Sequence, residues 1–97
     1  MVIWSNPARD DLKAIFEYIA LDSKFYAKKV IREIIEKAAS LEKLPERGRV
    51  VPEINDPTIR EIFIYSYRLI YQLKSENTEI LAIIHGKRDI ETTDIPH

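Results

Sequence analysis

The chain predicts an α+β fold: a helical hairpin packed on one face of a small, mainly antiparallel four-stranded sheet, in the order β-α-α-β-β-β. Three observations predict it. Apolar residues recur at helical spacing through the first half. A linker marked by Pro45, Gly48, Pro52 and Pro57 then interrupts the pattern, and the second half changes to strand-like runs. With 97 residues there is material for one core and no second, so residues 1–97 are read as a single domain.

The elements follow in order. Val2 to Trp4 reads as a short opening strand. Asn6-Pro7 offers an N-cap and a proline at the first helical position, where the missing N–H is harmless. Asp10 and Asp11 are placed in the first turn, at the positive end of the helix dipole. Ala8, Leu12, Ile15, Phe16 and Ile19 form one apolar stripe to about Leu21. Asp22-Ser23 breaks this helix and caps a second. There Tyr26, Ala27, Val30, Ile31, Ile34, Ala38 and Leu41 face one way, and most of the Lys, Arg and Glu residues face the other. Pro45 disfavours helical geometry in the residue before it, so the helix ends near Leu44. So short a break makes the two helices an antiparallel hairpin.

Beyond the linker, Ile59 to Tyr65 and Tyr67 to Leu73 are separated only by Ser66, which predicts a tight hairpin. Ser75-Glu76-Asn77 turns the chain into a third run, Glu79 to His85. The helices cover one face of the resulting sheet and leave the other for a site or a partner.

Composition excludes several classes of function. The absence of cysteine removes disulfides, thiolate metal sites and cysteine nucleophiles. There is no histidine pair at metal-ligand spacing, because His97 is the last residue, and no glycine-rich phosphate loop, because Gly48 and Gly86 lie far apart. No metal or cofactor is expected. The opening residues lack a secretion signal and no apolar run has membrane-spanning length, so a cytoplasmic chain without a membrane role is expected. The net charge of −1 argues against a generally basic nucleic-acid binder. Lys24 to Arg49 nevertheless carries eight Lys/Arg against four Glu, which reads either as a phosphate-facing surface or as a solvated helix face.

The candidate site lies in the strands. Alternation places Tyr67, Leu69, Tyr71 and Leu73 on one face and Arg68, Ile70 and Gln72 on the other. Arg60 opens the preceding strand, His85 closes the next, and Arg88 follows Gly86-Lys87. The expectation is that these groups converge at one end of the sheet, on the face the helices leave open. Such a group suits RNA cleavage by the 2′-hydroxyl. His85 would transfer protons, with Glu53 as a second acid–base candidate, while Arg60, Arg68 and Arg88 would hold the phosphate. Tyr65, Tyr67 or Tyr71 would stack a base. Structural roles stand beside each of these: a hydrogen-bonded strand-end histidine, an Arg68 paired with Glu53 or Glu61, and tyrosines packed in the core.

The succession Pro45-x-x-Gly48-Arg49-x-x-Pro52-Glu53, Ile59-Arg60-Glu61, Tyr67-Arg68-Leu69-Ile70-Tyr71 and Ile84-His85-Gly86-Lys87-Arg88-Asp89 resembles the RelE/ParE toxin superfamily of type II toxin–antitoxin (plasmid-stabilisation) systems. The resemblance implies a toxin that arrests growth and a cognate antitoxin that lays a helix or an extended segment over it. RelE-like members are ribosome-dependent mRNA endonucleases (mRNA interferases). ParE-like members inhibit DNA gyrase and cut no RNA. Arg68 and Arg88 fall where the RNA-cleaving branch places phosphate-handling arginines, and His85 falls near the acid–base residue of histidine-using relatives. Glu53 and Arg60 correspond less closely. The expected target is therefore ribosome-bound mRNA, with DNA gyrase as the alternative.

Overall fold

The computed structural model describes residues 1–86. The opening strand β1 (Val2–Trp4) runs into helix α1 (Asn6–Ala20), and α2 (Lys24–Ala39) follows, extended by a 3-10 turn at Ser40–Glu42. Strands β2 (Arg49–Val50), β3 (Ile59–Ile64), β4 (Tyr67–Leu73) and β5 (Thr78–His85) follow among the described residues. The sheet order is β1-β5-β4-β3-β2, antiparallel except where β1 lies parallel to β5.

The α+β architecture matches expectation, with one strand added. Arg49 pairs with Glu61 and Val50 with Arg60, so the sheet has five strands among the described residues. A two-residue strand between prolines is too short to show a period. Gly48 is what brings it in. A Cβ there would sit 2.5 Å from the Glu61 carbonyl oxygen and 2.7 Å from the Tyr71 hydroxyl, so any side chain would push β2 away from β3.

The start of α1 differs in detail. Ser5, not Asn6, is the cap. It is still extended and still bonded to β5, through its N–H to the Ile80 carbonyl (3.0 Å), and its hydroxyl accepts from the Ala8 N–H (3.1 Å). Asp10 and Asp11 thus lie past the first turn, and the dipole argument does not apply to them. Asp11 instead accepts from the Ile83 N–H (2.9 Å), on the side of β5 that β1 leaves uncovered when it ends at Trp4. Ser23 caps α2 as expected, accepting from the Tyr26 N–H (3.0 Å).

Two apolar clusters hold the layers. Between helices and sheet, Ile15, Val30, Ile34 and Leu41 pack on Ile62, Leu69, Tyr71, Ile80 and Ile83. On the opposite face, Ile59, Ile70, Leu81, Ala82 and Ile84 form a smaller cluster covered by Val51 and Ile54. The β4–β5 register shifts between Ile70, which pairs with Ala82, and Tyr71, which pairs with Ile80. Leu81 is the extra residue of a bulge, which is why neighbours Leu81 and Ala82 share the outer cluster. Everything after the bulge is turned over. Ile83 and His85 lie on the helix side.

Candidate functional site

Arg68 projects from the middle strands onto the outer face and is 5% exposed. Its Nε donates to Glu61 Oε1 (2.7 Å), and its Nη2 also contacts that oxygen. Nη1 and Nη2 grip both oxygens of Glu53, at 2.8 and 3.0 Å. Glu61 takes a further bond from Arg49 Nε at 2.6 Å. The Phe63 ring lies against both guanidinium groups, 5.3 Å from Arg49 Cζ and 6.0 Å from Arg68 Cζ. The hydrogen bonds that Arg68 donates to Glu53, joined by those to Glu61, outweigh desolvation and raise its pKa above the ordinary value. Every guanidinium nitrogen of Arg68 is engaged by a carboxylate. Glu53 arrives from the loop between β2 and β3, so this ion network also fastens that loop over the outer cluster.

Tyr71 lies on the helix side of the same strand and is sealed from solvent. Its hydroxyl donates to the Pro45 carbonyl (2.8 Å) and accepts from the Gly48 N–H (2.8 Å), and burial raises its pKa. A sealed ring cannot stack a base. Arg60 is the cross-strand neighbour of Tyr71, at the end of β4 remote from Tyr67. Its Nη1 donates to the Gly48 carbonyl (2.9 Å). Two expected site residues, Tyr71 and Arg60, therefore do structural work around the β2 entry.

At the other end, Tyr67 pairs with His85 across β4 and β5, with ring centroids 6.0 Å apart at 75°. The imidazole is exposed at a cavity of about 460 Å³ lined also by Ala14, Ile15, Tyr18 and Ser66. The phenol of Tyr67 has a raised pKa, first through burial and then through the phenols of Tyr18 and Tyr26. Tyr26 meets Tyr65 edge-on, with centroids 6.4 Å apart at 78°. Tyr18 and Tyr26 were not foreseen as part of a site. Spacing places Tyr26 on the apolar face of α2, yet it is 45% exposed, and Tyr18, outside the apolar stripe of α1, is 72% exposed.

Among the described residues the expected convergence is thus not found. Arg68 is on the outer face, His85 is on the helix side, and Arg60 is at the far end of the sheet. The bulge is the physical cause, because strict alternation through β5 would have turned His85 toward Arg68. Arg88 lies outside the described residues. Among the described residues no cluster of His, Asp or Glu could hold a metal ion, and no helix is long and apolar enough to cross a membrane.

The sequence model of the ParE toxin of type II toxin-antitoxin systems, parDE, matches residues 2–90. The chain belongs to this toxin family. It is 32% identical over 88 residues to Toxin RelE2 of Caulobacter vibrioides, an alignment covering 90% of this chain and 96% of that one. Similar solved structures share the toxin fold. One is from the chromosomal ParDE system of P. aeruginosa, with TM-score 0.73 and 24% identity over 87% of this chain and 92% of that one. Another is from the RelBE2 toxin–antitoxin complex of Mycobacterium tuberculosis, with TM-score 0.65 and 21% identity over 88% and 95%. The RelE/ParE likeness carried by the strand motifs is therefore a family membership, and the toxin's helices and sheet take the arrangement that membership implies.

Proposed function

We propose that this toxin arrests growth by binding a protein target, DNA gyrase in the ParE-like manner, and that a cognate antitoxin holds it in check in the cytoplasm. The observation that carries this is the state of Arg68. A phosphate could reach its guanidinium only by displacing Glu53, with the buried Glu61 carboxylate still beside it to repel a second anion. With the imidazole on the opposite face from Arg68, that guanidinium and the proton-transfer group do not meet in one place. The test is a supercoiling assay at micromolar toxin beside an assay of ribosome-bound mRNA. Gyrase inhibition with intact mRNA is expected, and mRNA cut at unimpaired supercoiling would reverse the assignment. The antitoxin is supported by the toxin–antitoxin systems to which the structural neighbours belong, and is tested by co-purification with the product of the adjoining gene.

One arrangement favours the RNA-cleaving alternative. His85 is exposed at a cavity beside a phenol, as an acid–base group would need to be, and the relative at 32% identity is named RelE2. His85→Ala leaves the core intact. Under that alternative it abolishes A-site cleavage, and under a gyrase mechanism it removes no catalytic step.

A further inference from the structure

We infer that Ser5 and Asp11 are positioning residues, whose side chains hold β5 in its bulged register and so determine that His85 faces the helices and not Arg68. The inference is independent of which target the toxin acts on.

Burial does not choose this register. In the bulged strand Leu81, Ala82 and Ile84 belong to the outer cluster and Ile83 to the core beneath the helices. A straight strand continuing from the Tyr71–Ile80 pair would set Leu81 opposite Ile70, Ala82 opposite Leu69, Ile83 opposite Arg68 and Ile84 opposite Tyr67. Leu81 would keep its place, Ile83 and Ile84 would exchange faces, and Ala82 would move under the helices. Two isoleucines that trade places bury the same side chain on each face, so the apolar pattern fits both registers. Main-chain pairing favours the straight one, because a bulge leaves a residue out of the ladder. The Gly86 N–H donates to the Ser66 carbonyl at 2.6 Å, but these are main-chain groups that any residue supplies.

What does choose lies at the junction of β1 and α1. The Ser5 N–H donates to the Ile80 carbonyl (3.0 Å) and the Ser5 hydroxyl to the Leu81 carbonyl (3.2 Å). Successive carbonyls of a regular strand point to opposite edges, whereas these two meet the same residue, which only the bulge allows. Asp11 takes the Ile83 N–H on its carboxylate at 2.9 Å. The bulged residue is thus gripped on both sides by side chains whose identity matters. Two residues further on stands His85, opposite Tyr67. A straight register would turn its imidazole to the face that carries Arg68.

The experiment compares wild type, Asp11→Ala, Asp11→Asn and the double variant Ser5→Ala/Asp11→Ala as purified full-chain toxin, by nuclear Overhauser contacts across β4 and β5. Losing a hydrogen bond to a carboxylate is expected to shift the balance of registers about tenfold. Wild type should show one set of contacts, with Leu69 opposite Ile83 and the His85 ring against Tyr67. Asp11→Ala, and more strongly the double variant, should show a second set with Leu69 opposite Ala82 and Ile84 against Tyr67. Asp11→Asn, whose amide oxygen still accepts, should keep the single set. Ser5→Ala also removes the cap of α1, so Asp11→Ala alone decides the matter if the double variant does not fold. A folded Asp11→Ala toxin that retains only the wild-type set overturns the inference.

Discussion

Beneath the helices, Tyr71 is buried neutral and its hydroxyl is satisfied by the main chain of Pro45 and Gly48. Across the sheet, Arg68 and Glu61 are buried as ions and satisfied by side chains. Tyr71 and Arg68 lie on the same strand, β4, on opposite faces, and the two sites differ in what their loss exposes. A neutral hydroxyl strands two hydrogen-bonding groups, whereas removing one ion strands a charge. The charged network also ties Glu53 and its loop to the sheet, so the outer face is held closed by the very residue that was expected to bind phosphate there. Among the described residues, the tyrosine-rich end on the helix side is open to solvent.

The sharpest way to test that contrast is Glu61→Ala. It leaves Arg68 held by Glu53 alone and frees Arg49, which is already 62% exposed and rehydrates readily. A loss of about 3–5 kcal/mol is expected in urea unfolding, because one buried guanidinium loses its central partner. A loss below about 1 kcal/mol would mean that water reaches Arg68 and that the outer face is not sealed.

Tyr71→Phe is next in size. It leaves the Gly48 N–H and the Pro45 carbonyl without their partner and is expected to destabilise by about 2 kcal/mol. The same residue sets an alkaline limit. Burial raises the pKa of both Tyr71 and Tyr67, while tyrosines of the unfolded chain ionise near 10. Above that pH the unfolded state binds fewer protons than the folded one. Stability is therefore complete below about pH 10 and declines as pH rises through the folded values. Tyr71→Phe should flatten this decline in thermal melts between pH 9 and 11. An equally steep decline in the variant would assign it to other groups.

Much of this architecture is legible in the residues. The stripes of α1 and α2, the Ser23 cap and the limits of β4 follow from period and punctuation, and the strand motifs carry the family. The site is less legible, for two physical reasons. A bulge at Leu81 has no composition of its own, yet it turns His85 to the other face and undoes any constellation drawn by alternation. Arg68 is where a phosphate-binding arginine would be, but its state depends on Glu53, which the loop delivers from 15 residues away in sequence. Pairing with Glu53 or Glu61 had been the structural alternative for this residue, and the structure contains both pairs. The tyrosine cluster escapes a linear reading because its members come from two helices and a hairpin, and none is unusual alone.

The smallest expected effect separates a structural Arg68 from a functional one. Arg68→Met combined with Glu61→Leu replaces the buried ions by apolar groups of similar length. Removing an entire buried network in this way is commonly neutral or mildly stabilising, because the desolvation it required disappears with it. Glu53 and Arg49 are the members left behind, with side chains 28% and 62% exposed, and both can take up water. The net change in stability is expected to lie within about 1 kcal/mol of zero. If Arg68 only fastens the loop, the double variant arrests growth as wild type does. Should it fold as well as wild type and yet be harmless, the guanidinium is needed for more than packing. Glu53 would then be a gate over an anion site, and the outer face would be where this toxin acts.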